Sequence, residues 1–131
     1  MSEPKPVYQL CVSRVCCPAG LCAAMAQVVL STNFEDGQTD GWIPRGSGTM
    51  LSVSTNQHNT GTQSLLTTNR TVTFGGPSID LSSALTRGQL YIFTIYVRMA
   101  EGEANDTLRM TMQSTINGSN TFNTVASAST A

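Results

Sequence analysis

Residues 90–99, LYIFTIYVRM, constrain this chain more than any other stretch. They are rich in β-branched and aromatic types and contain neither Gly nor Pro, which is a strand signal. Successive side chains on a strand point to opposite faces. The odd positions Tyr91, Phe93, Ile95, Val97 and Met99 are all apolar or aromatic, so that row is expected to be buried. The even positions Leu90, Ile92, Thr94, Tyr96 and Arg98 are mixed and suit a face that is only partly covered. Ten residues reach about 33 Å, enough to cross a small domain. One dry face and one half-wet face imply a two-layer sheet protein with an open outer face, and function is sought there.

The remaining chain supplies short partners for that strand. Strands are expected at residues 28–33, at 50–55 with Leu51 and Val53 inward, at 64–68, at 70–74, and at 107–113 with Leu108, Met110 and Met112 inward. Gly75-Gly76-Pro77 is expected to break the chain, with residues 78–81 extended after it. Asn117-Gly118 is a strong hairpin signal, and residues 121–126 fit the returning strand. Residues 127–131 are weak and leave that last strand without an obvious partner, an open edge. Seven or eight short strands separated by turns indicate an all-β sandwich or barrel, with no helix expected beyond the first 26 residues. The single Trp, Trp42, is expected to anchor the core or its rim.

Length points to one domain. Charged residues make up 11% and the net charge is −1, so the basic surplus that favours nucleic acid or anionic lipid is missing. No apolar run is long enough to cross a bilayer as a helix, so no membrane partner is expected either. All four cysteines, Cys11, Cys16, Cys17 and Cys22, lie at the front, with gaps unlike those of a zinc site and far from the only His, His58. Residues 1–26 read as a secretory leader or a disordered extension. Lys5 and Arg14 supply positive charge, residues 15–25 a short apolar run, and Ala24-Met25-Ala26 a small-x-small cleavage site. Pro4, Pro6 and Pro18 depart from that pattern. Cleavage would leave residues 27–131 as the domain and make the protein extracellular.

Catalysis finds little local support. His58 sits in the polar run Gln57-His58-Asn59, with no Ser-centred signature to make it a base. Glycoside hydrolysis needs two carboxylates at a set separation; Glu35, Asp36, Asp40, Asp80, Glu101, Glu103 and Asp106 are available, mostly in turns, and no motif singles out a pair. Sugar binding asks for less: flat rings to stack on C–H faces and planar hydrogen-bonding groups at the hydroxyl rim. Trp42, Phe74, Tyr91, Phe93, Tyr96 and Phe122 are the candidate rings; Arg45, Arg70 and Arg98 are the candidate forks.

Ordered along the chain are Asn33-Phe34-Glu35-Asp36-Gly37, Gly41-Trp42-Ile43-Pro44-Arg45-Gly46, His58, Gly61, Ser64-Leu65 and Asn69-Arg70-Thr71. Phe74-Gly75-Gly76-Pro77-Ser78-Ile79-Asp80-Leu81, Gly88, Tyr91, Phe93, Tyr96-Val97-Arg98-Met99 and Thr124-Val125-Ala126-Ser127 follow. This series resembles carbohydrate-binding module family 22, the xylan-binding modules usually attached to family 10 endo-1,4-β-xylanases. Their relatives of the family 4 and 9 type share much of the early pattern.

The resemblance implies a β-sandwich jelly-roll with a binding cleft on one sheet and a structural calcium. It implies that Arg45 is the ligand-binding arginine, that Phe74 stands where the family has a stacking Trp, and that Phe122 stands where it has a Tyr. Phe122 then lacks a hydroxyl hydrogen bond. Glu35 is the implied calcium ligand that remains. The family's other site residues lie in later strands, so the chain is expected to be a jelly-roll incomplete at its C-terminus, with half a cleft and too few calcium ligands. It is expected to bind xylan or a related β-glycan and to be tethered to a catalytic domain. Two other readings stay open: glycoside hydrolysis by the chain itself, and a structural spacer that stabilises a neighbouring domain without binding sugar.

Overall fold

The computed structural model describes residues 7–16, 25–99, 104 and 106–129. Among these the chain is all-β, of the β-sandwich class, with nine antiparallel strands and no helix. The main sheet holds β1 (Val7–Cys16), β2 (Met25–Ser31), β4 (Met50–Ser54), β5 (Ser64–Thr68) and β7 (Tyr91–Tyr96). Two ribbons accompany it: β3 (Ile43–Arg45) with β6 (Gly76–Ser78), and β8 (Thr107–Ile116) with β9 (Ser119–Ser129).

β1 organises the main sheet. β2 lies along one side of it, through Cys11↔Ser31 to Cys16↔Met25. The other side is shared, with Val7 and Tyr8 facing β5 and Gln9 to Arg14 facing β7. Leu10 and Val12 alternate inward from β1 and are 2% and 0% exposed. They form the core with Phe34, Trp42 and Leu65, and Val29, Leu51, Val53, Phe93 and Ile95 pack around them. A strand therefore runs through the stretch that the sequence assigns to a leader or disordered extension. An alternating apolar row serves a strand as well as a short apolar run serves a leader. Cys11 is a free thiol on β1, while Cys17 and Cys22 lie outside the described residues.

The strand expected over residues 90–99 is shorter, six residues, and its odd row is half-buried rather than buried. Tyr91, Phe93 and Ile95 still face the core, and Leu90, Ile92 and Tyr96 face out. Among the described residues β7 pairs only with β1, which places it at an edge of the sheet rather than its centre. The central, fully buried segment is β5, where Ser64, Leu65, Leu66 and Thr67 are all buried between β1 and β4.

The segment after β2 turns sharply and carries Phe34 into the core. Phe34 is fully buried, yet its φ is 63°, a left-handed conformation that is rare for a bulky residue. Asp40 holds it there: its Oδ2 accepts the backbone N–H groups of both Asn33 and Phe34 at 3.0 Å. Trp42 is buried as expected, and its Nε1 donates to Thr32 Oγ1 at 3.4 Å. That hydroxyl also accepts from Leu10 N at 3.2 Å, so the first strand and the Trp turn share one buried oxygen.

Two other local expectations change. The strand expected over residues 70–74 is a turn, because Gly75 N–H closes back onto Val72 O at 2.9 Å. Gly76 and Pro77, expected as a break, instead pair with β3, with Pro44 opposite Pro77. A short isolated ribbon tolerates missing N–H donors that a central strand would not. Residues 127–129, weak in sequence, extend β9 against β8, and among the described residues the far edge of β9 has no strand beside it.

Candidate functional site

Arg45 ends β3, and its position follows from the residues on either side. Its register partner in the ribbon is Gly76. The next residue, Gly46, has a φ of 90° and lies so close to Val72 and Gly75 that a Cβ would come within 2.8 Å of one and 2.9 Å of the other. Only glycine fits that approach. Arg45 is thus set at the point where the ribbon meets the 72–75 turn, with its side chain in solvent.

The same turn presents Phe74. Arg70 Nε donates to Gly75 O at 2.7 Å and Nη2 reaches Thr73 O at 3.5 Å. Arg70, one of the candidate forks, is used to fix this turn. Phe74 follows Thr73, two places before the register partner of Arg45, and is 66% exposed. It does not share the half-burial of Val72 and is no part of the core.

Phe122 arrives from the other ribbon. The Asn117-Gly118 turn has φ values of 51° and 78°, the left-handed pair that a two-residue hairpin turn needs. That turn sets Ile116 opposite Ser119 and, three rungs away, Gln113 opposite Phe122. Directly opposed residues share a face, so Gln113 and Phe122 stand side by side. Arg45 spans both: its guanidinium carbon lies over the Phe122 ring, 5.1 Å from the centroid, and its Nη1 donates to Gln113 Oε1 at 3.0 Å. The distance is within cation–π range, worth about 0.5–1 kcal/mol at an exposed site. Phe122 keeps 52% of its surface exposed. Of an arginine's five N–H donors, one is spent on Gln113.

Arg45 and Phe122 are therefore in contact, and Phe74 sits exposed on the turn beside β3. Among the other candidates, Trp42, Tyr91 and Phe93 belong to the core or its margin, while Tyr96 and Arg98 are exposed on and just beyond β7. Gln113 was not singled out in the sequence. The signal was there: a two-residue turn at Asn117-Gly118 fixes the register, and counting back along both strands puts Gln113 against Phe122.

Glu35 lies elsewhere, beside the loop before β5. Its Oε1 accepts Thr62 N at 2.8 Å and Gln63 N at 2.9 Å, and its Oε2 accepts Thr62 Oγ1 at 2.8 Å. The hydroxyl of Thr62, then the two backbone N–H groups, hold its carboxyl below the ordinary value of 4.5, with a smaller contribution from His58. Calcium takes six to eight oxygens. Here the carboxylate is spent on three hydrogen donors, and no cluster of three His, Cys, Asp or Glu exists among the described residues. These residues do not fit a calcium ion by themselves.

The remaining described carboxylates act locally. Asp36 accepts from Gln38 N, Asp40 from Asn33 and Phe34, Asp80 from Ser82 N and Asp106 from Thr107 N. Glu101 and Glu103 lie outside the described residues.

A family model described as a carbohydrate binding domain matches residues 26–131. Endo-1,4-beta-xylanase A of Thermoanaerobacterium saccharolyticum is 30% identical over 115 residues, 88% of this chain and 10% of that protein. Endo-1,4-beta-xylanase C of Paenibacillus barcinonensis is 35% identical over 91 residues, 70% of this chain and 8% of that protein. Exoglucanase XynX of Acetivibrio thermocellus is 32% identical over 89 residues, 66% of this chain and 8% of that protein. The chain thus spans a tenth or less of the length of these relatives. No solved structure matches it.

Proposed function

The chain belongs to the carbohydrate binding domain family, and we propose that it is a non-catalytic xylan-binding module of the family 22 type. The observation that carries this reading is the exposed Arg45 guanidinium lying over the exposed Phe122 ring. A pyranose presents an apolar C–H face and a rim of hydroxyls. Phe122 and Phe74 offer ring faces, and Arg45 offers the N–H donors that Gln113 leaves over. The names of two relatives, both endo-1,4-beta-xylanases, favour xylan. One relative is named an exoglucanase, which makes other β-glycans the competing ligand class.

Binding assays on insoluble xylan, cellulose and starch in parallel test the proposal. Xylan is expected to deplete the protein from solution, and added salt to matter little, because the ligand is neutral. No depletion by xylan, or equal depletion by all three, overturns it.

Three further parts of the proposal reach beyond the site. The module is tethered to a catalytic domain, which we take to be a family 10 endo-xylanase. It works outside the cell, delivered by a leader in residues 1–26. That last part carries a structural condition: cleavage after Ala26 removes β1, so another strand must take its place between β2 and β7. Calcium at Glu35 is proposed only for a chain that brings further oxygens to that carboxylate, since its present neighbours are donors.

A further inference from the structure

The β8–β9 hairpin leaves a long strand edge open. β9 is the longest strand described, eleven residues, all of them exposed, and among the described residues β8 is its only partner. Native edge strands are guarded by shortness, by charge, by Pro, by bulges or by a covering segment. Residues 119–129 contain no charged residue and no Pro. Their one guard is a bulge at Val125, between the rungs Thr111↔Thr124 and Met110↔Ala126. β8 differs: it carries Arg109, and every second residue from Leu108 to Ser114 is half-buried. A two-stranded ribbon is also marginal by itself, and further strands stabilise it.

The register says which backbone groups are open. The Asn117-Gly118 turn is flanked by the pair Ile116↔Ser119, and in a two-residue hairpin that flanking pair exchanges both hydrogen bonds. Bonded and non-bonded pairs then alternate along an antiparallel ladder. Ser119, Thr121 and Asn123 therefore turn their N–H and C=O groups to β8. Asn120, Phe122 and Thr124 turn theirs to the open edge, and the bulge after Thr124 ends the regular run. These open groups are evenly spaced about Phe122, so the pattern is its own complement when a second strand runs the opposite way.

We infer that the open edge of β9 is an interface for a second copy of this chain, with two β9 strands paired antiparallel about a two-fold axis at Phe122. In that register Phe122 faces its counterpart, and Asn120 of each copy faces Thr124 of the other. Every open N–H and C=O of residues 120, 122 and 124 is then paired, and no like charges meet across the seam. The two hairpins become one four-stranded sheet. An antiparallel seam puts the axis perpendicular to that sheet, so both Arg45–Phe122 contacts stand on the same face. The pair is closed, because each copy uses up its β9 edge and the strands left outside are those that carry Arg109.

Sedimentation equilibrium of the full chain over about a hundredfold range of concentration tests it. The mass of wild type should rise with concentration from 13.9 kDa toward twice that value. Asn120→Lys/Thr124→Lys sets like charges against each other at two places on the seam and should weaken association by about tenfold or more. Asn120→Glu/Thr124→Lys changes the same two positions but sets opposite charges there, and should associate at least as well as wild type. The second variant separates a lost seam from a damaged strand. A wild-type chain that stays monomeric throughout overturns the inference. So do a Lys/Lys variant that associates like wild type, a Glu/Lys variant that stays as weak as the Lys/Lys one, and growth of wild type beyond the dimer.

Discussion

Arg45 and Phe122 come from different ribbons, and their contact, 5.1 Å from guanidinium carbon to ring centroid, joins β3 to the β8–β9 hairpin. The hydrogen bond from Arg45 to Gln113 fixes the fork beside the ring. Removing either partner should loosen the other. In a double-mutant cycle on thermal or urea unfolding, Arg45→Ala and Phe122→Ala should couple by about 0.5–1 kcal/mol. Strictly additive effects would mean that the two side chains do not support each other in solution.

The first strand should matter as much as any in the sheet. Leu10→Ala should cost about 2–5 kcal/mol in urea unfolding, because Leu10 is buried against Phe34 and Trp42 in the core cluster. A chain beginning at Gln27 should melt well below the full chain, unless a strand from elsewhere fills the vacated place. Equal melting of the two would show that β1 contributes nothing to the folded sheet.

Asp40 is expected to be a structural residue. Its carboxylate accepts two backbone N–H groups and thereby holds the left-handed turn at Phe34. Asp40→Ala should destabilise the protein by about 1–3 kcal/mol, measured by chemical unfolding. Asp40→Asn keeps an acceptor oxygen and should cost less.

The acid side of the stability profile should depend on Glu35. Its carboxyl titrates below 4.5 in the folded chain because Thr62 and Gln63 donate to the ionised form. A group with a depressed folded value stabilises the protein fully above its ordinary value, and that contribution is lost as pH falls through the folded value. The melting temperature should therefore drop as pH is lowered below about 4.5, and Glu35→Gln should flatten that part of the curve. An identical acid limb in the variant would remove Glu35 from this role.

Much of this was legible in the residues, for reasons that can be named. The Asn117-Gly118 pair specifies a two-residue turn, and the alternation of Leu108, Met110 and Met112 specifies which face looks inward, so the hairpin could be read almost whole. β5 could be read to the residue. The 70–74 segment could not, because Val72 and Phe74 alternate as a strand does. The Arg70 bonds to Gly75 O and Thr73 O that curl it into a turn depend on where the guanidinium lands. β1 was hidden for another reason: a secretory leader and a core strand draw on the same apolar residues. The candidate site was half visible. Arg45, Phe74 and Phe122 stood out by type and by family resemblance, and the structure leaves all three exposed. What residue types alone could not give was the contact itself, which requires the β3 ribbon to meet the hairpin at the Gln113 rung.

Affinity electrophoresis through gels with and without soluble xylan brings the proposed sugar site to a single comparison. Wild type should be retarded by xylan, and an Arg45→Ala/Phe122→Ala double variant, shown folded by its circular dichroism, should run as if the xylan were absent. Equal retardation of the two would place xylan binding elsewhere on the molecule. No retardation of wild type would leave a spacer role for the chain in place of sugar binding.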